Sequence, residues 1–155
     1  MLTIQLLKHY PHAIPELAEI WYDALGKTCA PDIPISEIAS WMHEWHHTNT
    51  LPLAHIALHG DKPIGICSLQ VNDGIRPDLM PWLGDLCVDP SYQKQGVGKK
   101  LIHATKEKAK ALGFSQLYLY TFDQRLPNYY KTFGWQTLGM DRYKEHPVTV
   151  MQILL

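Results

Sequence analysis

Cysteine is scarce in this sequence. Cys29, Cys67 and Cys87 are the only three among 155 residues. They are odd in number, far apart and without C-x-x-C spacing, which leaves neither a disulfide framework nor a thiolate zinc site to build on. Such usage fits a reducing cytoplasm. Long apolar runs are missing too, so no membrane span is expected, and the opening MLTIQLLKHYPH is too soon interrupted for a signal peptide. An excess of charge of either sign is also lacking: the formal net charge of −1 argues against a protein that coats nucleic acid. Repeats, linkers and low-complexity tracts are absent. With 46% hydrophobic and 19% charged residues, the chain reads as one globular domain over 1–155, long enough to bury roughly two-thirds of its unfolded surface.

What is present centres on Leu83 to Leu112, LGDLCVDPSYQKQGVGKKLIHATKEKAKAL. It reads as an apolar strand, a short turn, two glycines one residue apart and a basic helix. Val97, Leu101, Ile102, Thr105, Ala109 and Leu112 form one stripe at helical spacing, and Gly113 follows as a C-cap. The first amides of a helix have no intrahelical partner and carry the positive end of the macrodipole, so a phosphate placed there meets several donors. Gly96 and Gly98 allow close backbone approach and positive φ. A Walker A loop fails on spacing, since Gly98-Lys99-Lys100 lacks the earlier glycine and the hydroxyl; a dinucleotide fingerprint fails because position 101 is Leu.

The string Gln93-Lys94-Gln95-Gly96-Val97-Gly98, after Val88-Asp89-Pro90-Ser91-Tyr92, resembles the acyl-CoA-binding signature of the GNAT superfamily of N-acetyltransferases, Q/R-x-x-G-x-G/A behind a V-x-P-x-Y strand end. The resemblance implies acetyl-CoA as cosubstrate. Its pyrophosphate would lie on the main-chain amides from Gln93 to Lys99, and its pantetheine arm along Leu86, Cys87 and Val88. It also implies a mixed α/β fold: a mostly antiparallel twisted sheet of six or seven strands, helices on both faces, split between the strands ending at Val88 and starting at Gln116. Gly84, inside the first of these, marks a bulge or a close backbone approach.

The rest of the chain supplies matching elements. Thr3 to Leu7 reads as a strand, and Ile14, Leu17, Ala18, Trp21, Ala24 and Leu25 share a helical face before Gly26. Ser36 is placed to cap a second helix carrying Ile38, Trp41, Met42 and Trp45. Leu53 to Leu58 and Pro63 to Val71 form a hairpin around His59-Gly60-Asp61-Lys62. Gln116 to Phe122 is apolar on both faces, as a central strand would be. A short helix from Leu126 to Phe133 ends at Gly134, and two strands, from Trp135 and from Pro147, close the chain as a hairpin. A homodimer through the last strand is a further expectation.

Acyl transfer from a thioester to an amine requires a neutral nucleophile, stabilisation of the oxyanion and a proton for the leaving thiolate. An alkylammonium of pKa near ~10.4 must lose a proton first. Asn128-Tyr129-Tyr130-Lys131-Thr132-Phe133-Gly134-Trp135 resembles the family's F-Y-x-K-x-G-F segment, which implies Tyr130 as the acid that protonates sulfur and as a coenzyme contact. Backbone N–H of Cys87 or Val88 is expected to face the oxyanion, and direct transfer is preferred to an acyl-enzyme on Cys87, since a cysteine in an apolar strand usually packs. Candidates to accept the amine proton are Asp85, directly or through water, and His43, Glu44, His46 and His47 on the helix that should border the acceptor cleft. Where many relatives carry a glutamate, this chain has Trp82, and Asp123-Gln124-Arg125-Leu126 replaces the family's Asn-x-x-Ala run.

Two rival functions follow from the sequence. His43-Glu44-Trp45-His46-His47 reads H-E-x-x-H, the spacing of a zinc hydrolase, although no third ligand motif follows and Thr48 to Pro52 leaves the helix little room. A non-catalytic acyl-CoA sensor would keep the Gln93 to Gly98 loop and need neither Tyr130 nor a base. No metal is required by the preferred reading. The acceptor amine would meet a cleft walled by Trp41, Trp45, Tyr22 and Trp82, with Glu44, Asp73, Asp78 or Asp85 favouring a cation.

Overall fold

The computed structural model describes residues 1–155. Seven strands, β1 (Leu2–Leu6), β2 (Leu53–His59), β3 (Lys62–Gln70), β4 (Trp82–Val88), β5 (Gln116–Thr121), β6 (Gln136–Tyr143) and β7 (His146–Leu154), form one sheet in the order β1-β2-β3-β4-β5-β7-β6. Every pairing is antiparallel except β4 with β5, which is parallel and joined only at Trp82 opposite Tyr118. Beyond that pair the two strands part. The split expected between them is therefore present.

Side-chain alternation along the strands builds two large cores, with a third, smaller cluster of Ile75, Trp82, Tyr118, Val148 and Val150. Ala54, Ile56 and Leu58 of β2 face α1 (Ile14–Trp21), α2 (Lys27–Cys29) and α3 (Ile35–Glu44), while Leu53 and Ala57 face α4 (Val97–Ala111). Val97, Leu101, Ile102, Thr105 and Ala109 are the buried stripe of α4. Each fully buried Leu or Ile adds about 1.5–3 kcal/mol of apolar transfer. Phe114 N–H donates to Ala109 O and Gly113 N–H to Lys110 O, with Gly113 at φ 95°. This left-handed cap ends α4 where expected.

Three local expectations are corrected. Gly26 does not stop the first helix: a π-helical turn, Tyr22–Gly26, carries it on into α2. A Cβ at Gly26 would lie 2.7 Å from Tyr22 Cδ2 and 3.1 Å from Trp21 Cζ3, so the glycine is there to pack against rings rather than to break the helix. Ser36 lies inside α3, whose N-cap is Pro34 in an extended conformation, because α3 starts two residues earlier than a Ser36 cap would place it. The bulge of β4 is not at Gly84. Ile66 pairs with Cys87 and Ser68 with Gly84, so Asp85 and Leu86 together oppose Cys67. Strand β7 lies between β5 and β6. Both of its edges are hydrogen-bonded within the chain, so the free sheet edges are those of β1 and β6.

Candidate active site

The bulge decides where Asp85 points. In a regular strand Asp85 would share a face with Leu83, which packs on the α4 side. With φ at 57° the backbone instead turns the carboxylate to the other side, where Oδ1 accepts from Trp21 Nε1 at 2.8 Å and Oδ2 from Ser68 Oγ at 2.6 Å. Burial pushes the Asp85 carboxyl above its ordinary value, and the bonds from Ser68, Trp21 and Gln70 oppose that shift.

Asp85 faces a cavity of about 680 Å³ at the split. The cavity walls come from Leu83 to Leu86, from Leu119 to Asp123, from Trp21, from Trp41 and Trp45, from Asn72 to Gly74, and from Tyr130 and Tyr143. So the N-terminal helices, the loop after β3 and the C-terminal hairpin do shape this end of the site. Tyr22, Trp82 and Asp78 are not in the lining. Trp82 is fully buried and donates Nε1 to Leu79 O at 2.8 Å; Asp78 pairs with Arg76 at 2.9 Å on the surface.

Asp73 is the second acid of the floor. A Cβ on Gly84 would sit 2.7 Å from Asp73 Oδ2, so the close approach that Gly84 allows is that of a carboxylate. Burial and the neighbouring Asp85 hold the Asp73 carboxyl well above its ordinary range. Gly84→Ala is expected to lower stability by about 1–3 kcal/mol, as overpacking does, and Asp73→Ala in the same chain should recover most of it. Equal melts for Gly84→Ala with and without Asp73→Ala would refute that contact.

Tyr130 of α5 (Leu126–Lys131) is 6% exposed, lines the cavity, and packs edge-on to Trp135 with ring centroids 6.0 Å apart. Burial pushes its phenol up, helped by Cys67 and Tyr129, so it keeps its proton at neutral pH. On β4, Asp89 N–H donates to Ile64 O at 2.7 Å. Backbone amides alternate sides along a strand, so Val88 N–H faces the split and Cys87 N–H faces β3. The Cys87 thiol is buried in the α1–α3 core and pushed well up by desolvation. Leu86 and Val88 are half-buried on the α4 side. Of the two oxyanion donors expected, only Val88 is oriented for the role, and Cys87 offers the split neither its amide nor its thiol.

The turn into α4 leaves backbone donors unpaired. Lys94 at φ 62° and Gly96 at φ 82° alternate with extended and helical residues, and Gly96 is the N-cap. The first N–H to return into the helix is that of Lys100, to Gly96 O, so the amides of Val97, Gly98 and Lys99 lie free in the first turn. Gln93 Nε2 ties the loop to Val88 O at 3.1 Å. At Gly98 a Cβ would reach 4.0 Å from Val88 Cγ2, and at Gly96 it would meet nothing; Gly96 serves conformation. Gln93, Lys94, Gln95 and Lys99 are exposed.

H-E-x-x-H does not become a metal site. The helix ends at Glu44, and His46 and His47 lie beyond it; their Nδ1 atoms are 3.0 Å from His43 O and 2.9 Å from Pro52 O. The two imidazoles of the motif thus do not share a helical face. Residues that the sequence did not single out are Trp21 and Ser68, which hold Asp85, and Tyr120, Phe122 and Tyr143 in the wall. Trp21 fell on an apolar stripe, and periodicity carries no sign that an indole N–H will be used.

The sheet thus opens between its parallel strands beside a helix start with free amides, and an acid-floored cavity lies beyond the opening. The sequence model of the Acetyltransferase (GNAT) family matches residues 14–135, and the chain belongs to that family. No curated protein matches its sequence. Its fold is similar to that of an acetyltransferase from Streptococcus agalactiae 2603, with TM-score 0.77 and 20% identity over 99% of this chain and 98% of that one. It is similar too to an aminoglycoside 6'-N-acetyltransferase complexed with coenzyme A, with TM-score 0.76 and 15% identity over 98% and 96%. A third likeness is to yncA from Salmonella typhimurium with its cofactor acetyl-CoA, with TM-score 0.77 and 15% identity over 99% and 94%.

Proposed function

We propose that residues 1–155 act as one cytoplasmic N-acetyltransferase domain, moving the acetyl group of acetyl-CoA to a primary amine by direct attack in a ternary complex. The observation that carries this reading is the single Trp82–Tyr118 pair of the parting strands, which opens the sheet between the α4 cradle and the cavity holding both Asp85 and Tyr130. Free amides of Val97, Gly98 and Lys99, with the loop Gln93-Lys94-Gln95-Gly96, would hold the coenzyme pyrophosphate. Leu86 and Val88 would flank the pantetheine arm, and Val88 N–H would stabilise charge on the thioester oxygen. Asp85 accepts a proton from the acceptor ammonium, and Tyr130 gives its phenol proton to the departing sulfur. The three free, buried thiols suit a reducing compartment.

Titration calorimetry with acetyl-CoA, run beside thiol release over a panel of amines, tests the reading. Gly96→Val is expected to weaken acetyl-CoA binding at least tenfold with little change in the melt. The side chain has open space but must adopt φ near 82°, a strain of about 1–2 kcal/mol that the exposed loop relieves by leaving the cradle conformation. Absence of acetyl-CoA binding by the unmutated protein would overturn the reading, and binding without turnover on any amine would favour a sensor.

A further inference from the structure

The reaction requires an amine in the cavity, and the cavity's charges restrict which amine. Its lining carries Glu44, Asp73, Asp85 and Asp123 but no Lys, Arg or His. Asp123 is already neutralised by Arg125, at 2.8 Å. Glu44, Asp73 and Asp85 take part in none of the ion pairs of the protein. They stand at two levels: Asp73 and Asp85 on the floor beside Gly84, and Glu44 exposed at the C-terminal end of α3. Between them lie aromatic faces. Trp21 bonds Asp85 and meets Trp41 edge-on at 5.6 Å, while Trp41 and Glu44 are neighbours one helical turn apart on α3. Opposite, Tyr120 and Tyr143 stack at 6.0 Å, and Phe122 meets Tyr143 edge-on at 5.9 Å.

Such a lining attracts cations at both ends and alkyl or cationic bodies in the middle. No lining side chain is cationic; the nearest lysine, Lys144, is exposed and lies over the Tyr143 ring, 5.4 Å from its centroid, so an acceptor carboxylate inside would be desolvated among acids of its own sign. We propose that the acceptor is a small di- or polyamine without a carboxylate, with one ammonium seated between Asp73 and Asp85 and the second at Glu44. The inference rests on the acetyl-transfer reading above. Asp73 and Asp85 take one proton from the inner nitrogen and pass it to solvent. That nitrogen then forms its bond to the acetyl carbon as the carbon–sulfur bond breaks. A second nitrogen proton replaces the phenol proton of Tyr130, which leaves on the coenzyme thiol. One ammonium and one thioester thus become one amide, one thiol and one released proton.

Matched amines separate the charges. 1,4-Diaminobutane and ornithine differ by a carboxylate, as do 1,5-diaminopentane and lysine, and butylamine lacks the second nitrogen. Thiol release should give each diamine a kcat/KM about tenfold or more above its amino-acid partner and above butylamine. Diamines should quench tryptophan fluorescence in protein free of acetyl-CoA, whereas the amino acids should not. Glu44→Gln, on an exposed turn, should bring the diamine down to within about threefold of butylamine. Asp73→Asn should raise KM for every amine about tenfold and leave acetyl-CoA affinity within twofold. Ornithine or lysine matching its diamine, or acetyl-CoA binding with no diamine bound or turned over, would overturn the proposal. Failure to bind acetyl-CoA would instead strike the transfer reading, with the fluorescence titration still deciding between diamine and amino acid.

Discussion

Tyr130→Phe is expected to lower kcat by about 10²–10³, the range that a positioned general acid supplies, while acetyl-CoA affinity stays within twofold. The replacement keeps the ring, so the edge-on contact with Trp135 and the burial in the α4-side core survive, and the melt should move little. A raised phenol is no obstacle to its acting as an acid. The same desolvation that holds the proton on Tyr130 also destabilises a thiolate formed beside it, and transfer is governed by the difference between the two. A donor whose thiol is strongly acidic needs less help in leaving. With such an acetyl thioester the loss in Tyr130→Phe should shrink to under about tenfold. Equal losses with both donors, or a kcat within threefold of the original, would leave Tyr130 as a positioning residue only.

Most of the scaffold was legible because it is written in short-range patterns. The α4 stripe, the Gly113 cap, the Gly60-Asp61 turn and the two-sided apolar β5 each depend on residues close in sequence, and all lie where periodicity and turn chemistry put them. The loop Gln93 to Gly98 was legible for the same reason. What failed depends on packing and pairing that no pattern records, some of it local and some between segments distant in sequence. Gly26 looks like a terminator until Trp21 and Tyr22 are packed against it, and Gly84 looks like a bulge until Asp73, eleven residues earlier, arrives over its backbone. The two-versus-one register that turns Asp85 toward Trp21 is set by pairing with β3. No local feature of LGDLCV announces it. The acceptor cavity was legible only as a list of segments, because Trp41, Asp73, Tyr120 and Tyr143 become one wall through the order of the sheet.

Asp85→Asn is expected to lower kcat/KM for an alkylamine by about 10² or more at pH 7.5 and to make the protein more stable there. An amine of pKa near ~10.4 is about 0.1% neutral at that pH, so without the acceptor carboxylate the residual rate should climb about tenfold per pH unit as free base accumulates. The stability effect has the opposite sign. Unfolded, the Asp85 carboxyl titrates near 3.8; folded, burial moves it upward. Below pH 3.8 it is protonated in both states and contributes nothing. As pH rises from there toward the folded value, the unfolded chain ionises first, so stability is lost, and above the folded value the full penalty is present. Asn removes the penalty and retains the bonds, its oxygen accepting from Trp21 and its amide donating to Ser68 Oγ. The melting temperature of Asp85→Asn should therefore exceed the original at pH 8, by about 2–4 °C for each kcal/mol recovered, and converge with it near pH 3.5. A lower melt at pH 8 would mean that the charged form is held in place by the fold. The combination of a slower enzyme and a firmer protein separates a carboxylate kept for chemistry from one kept for structure.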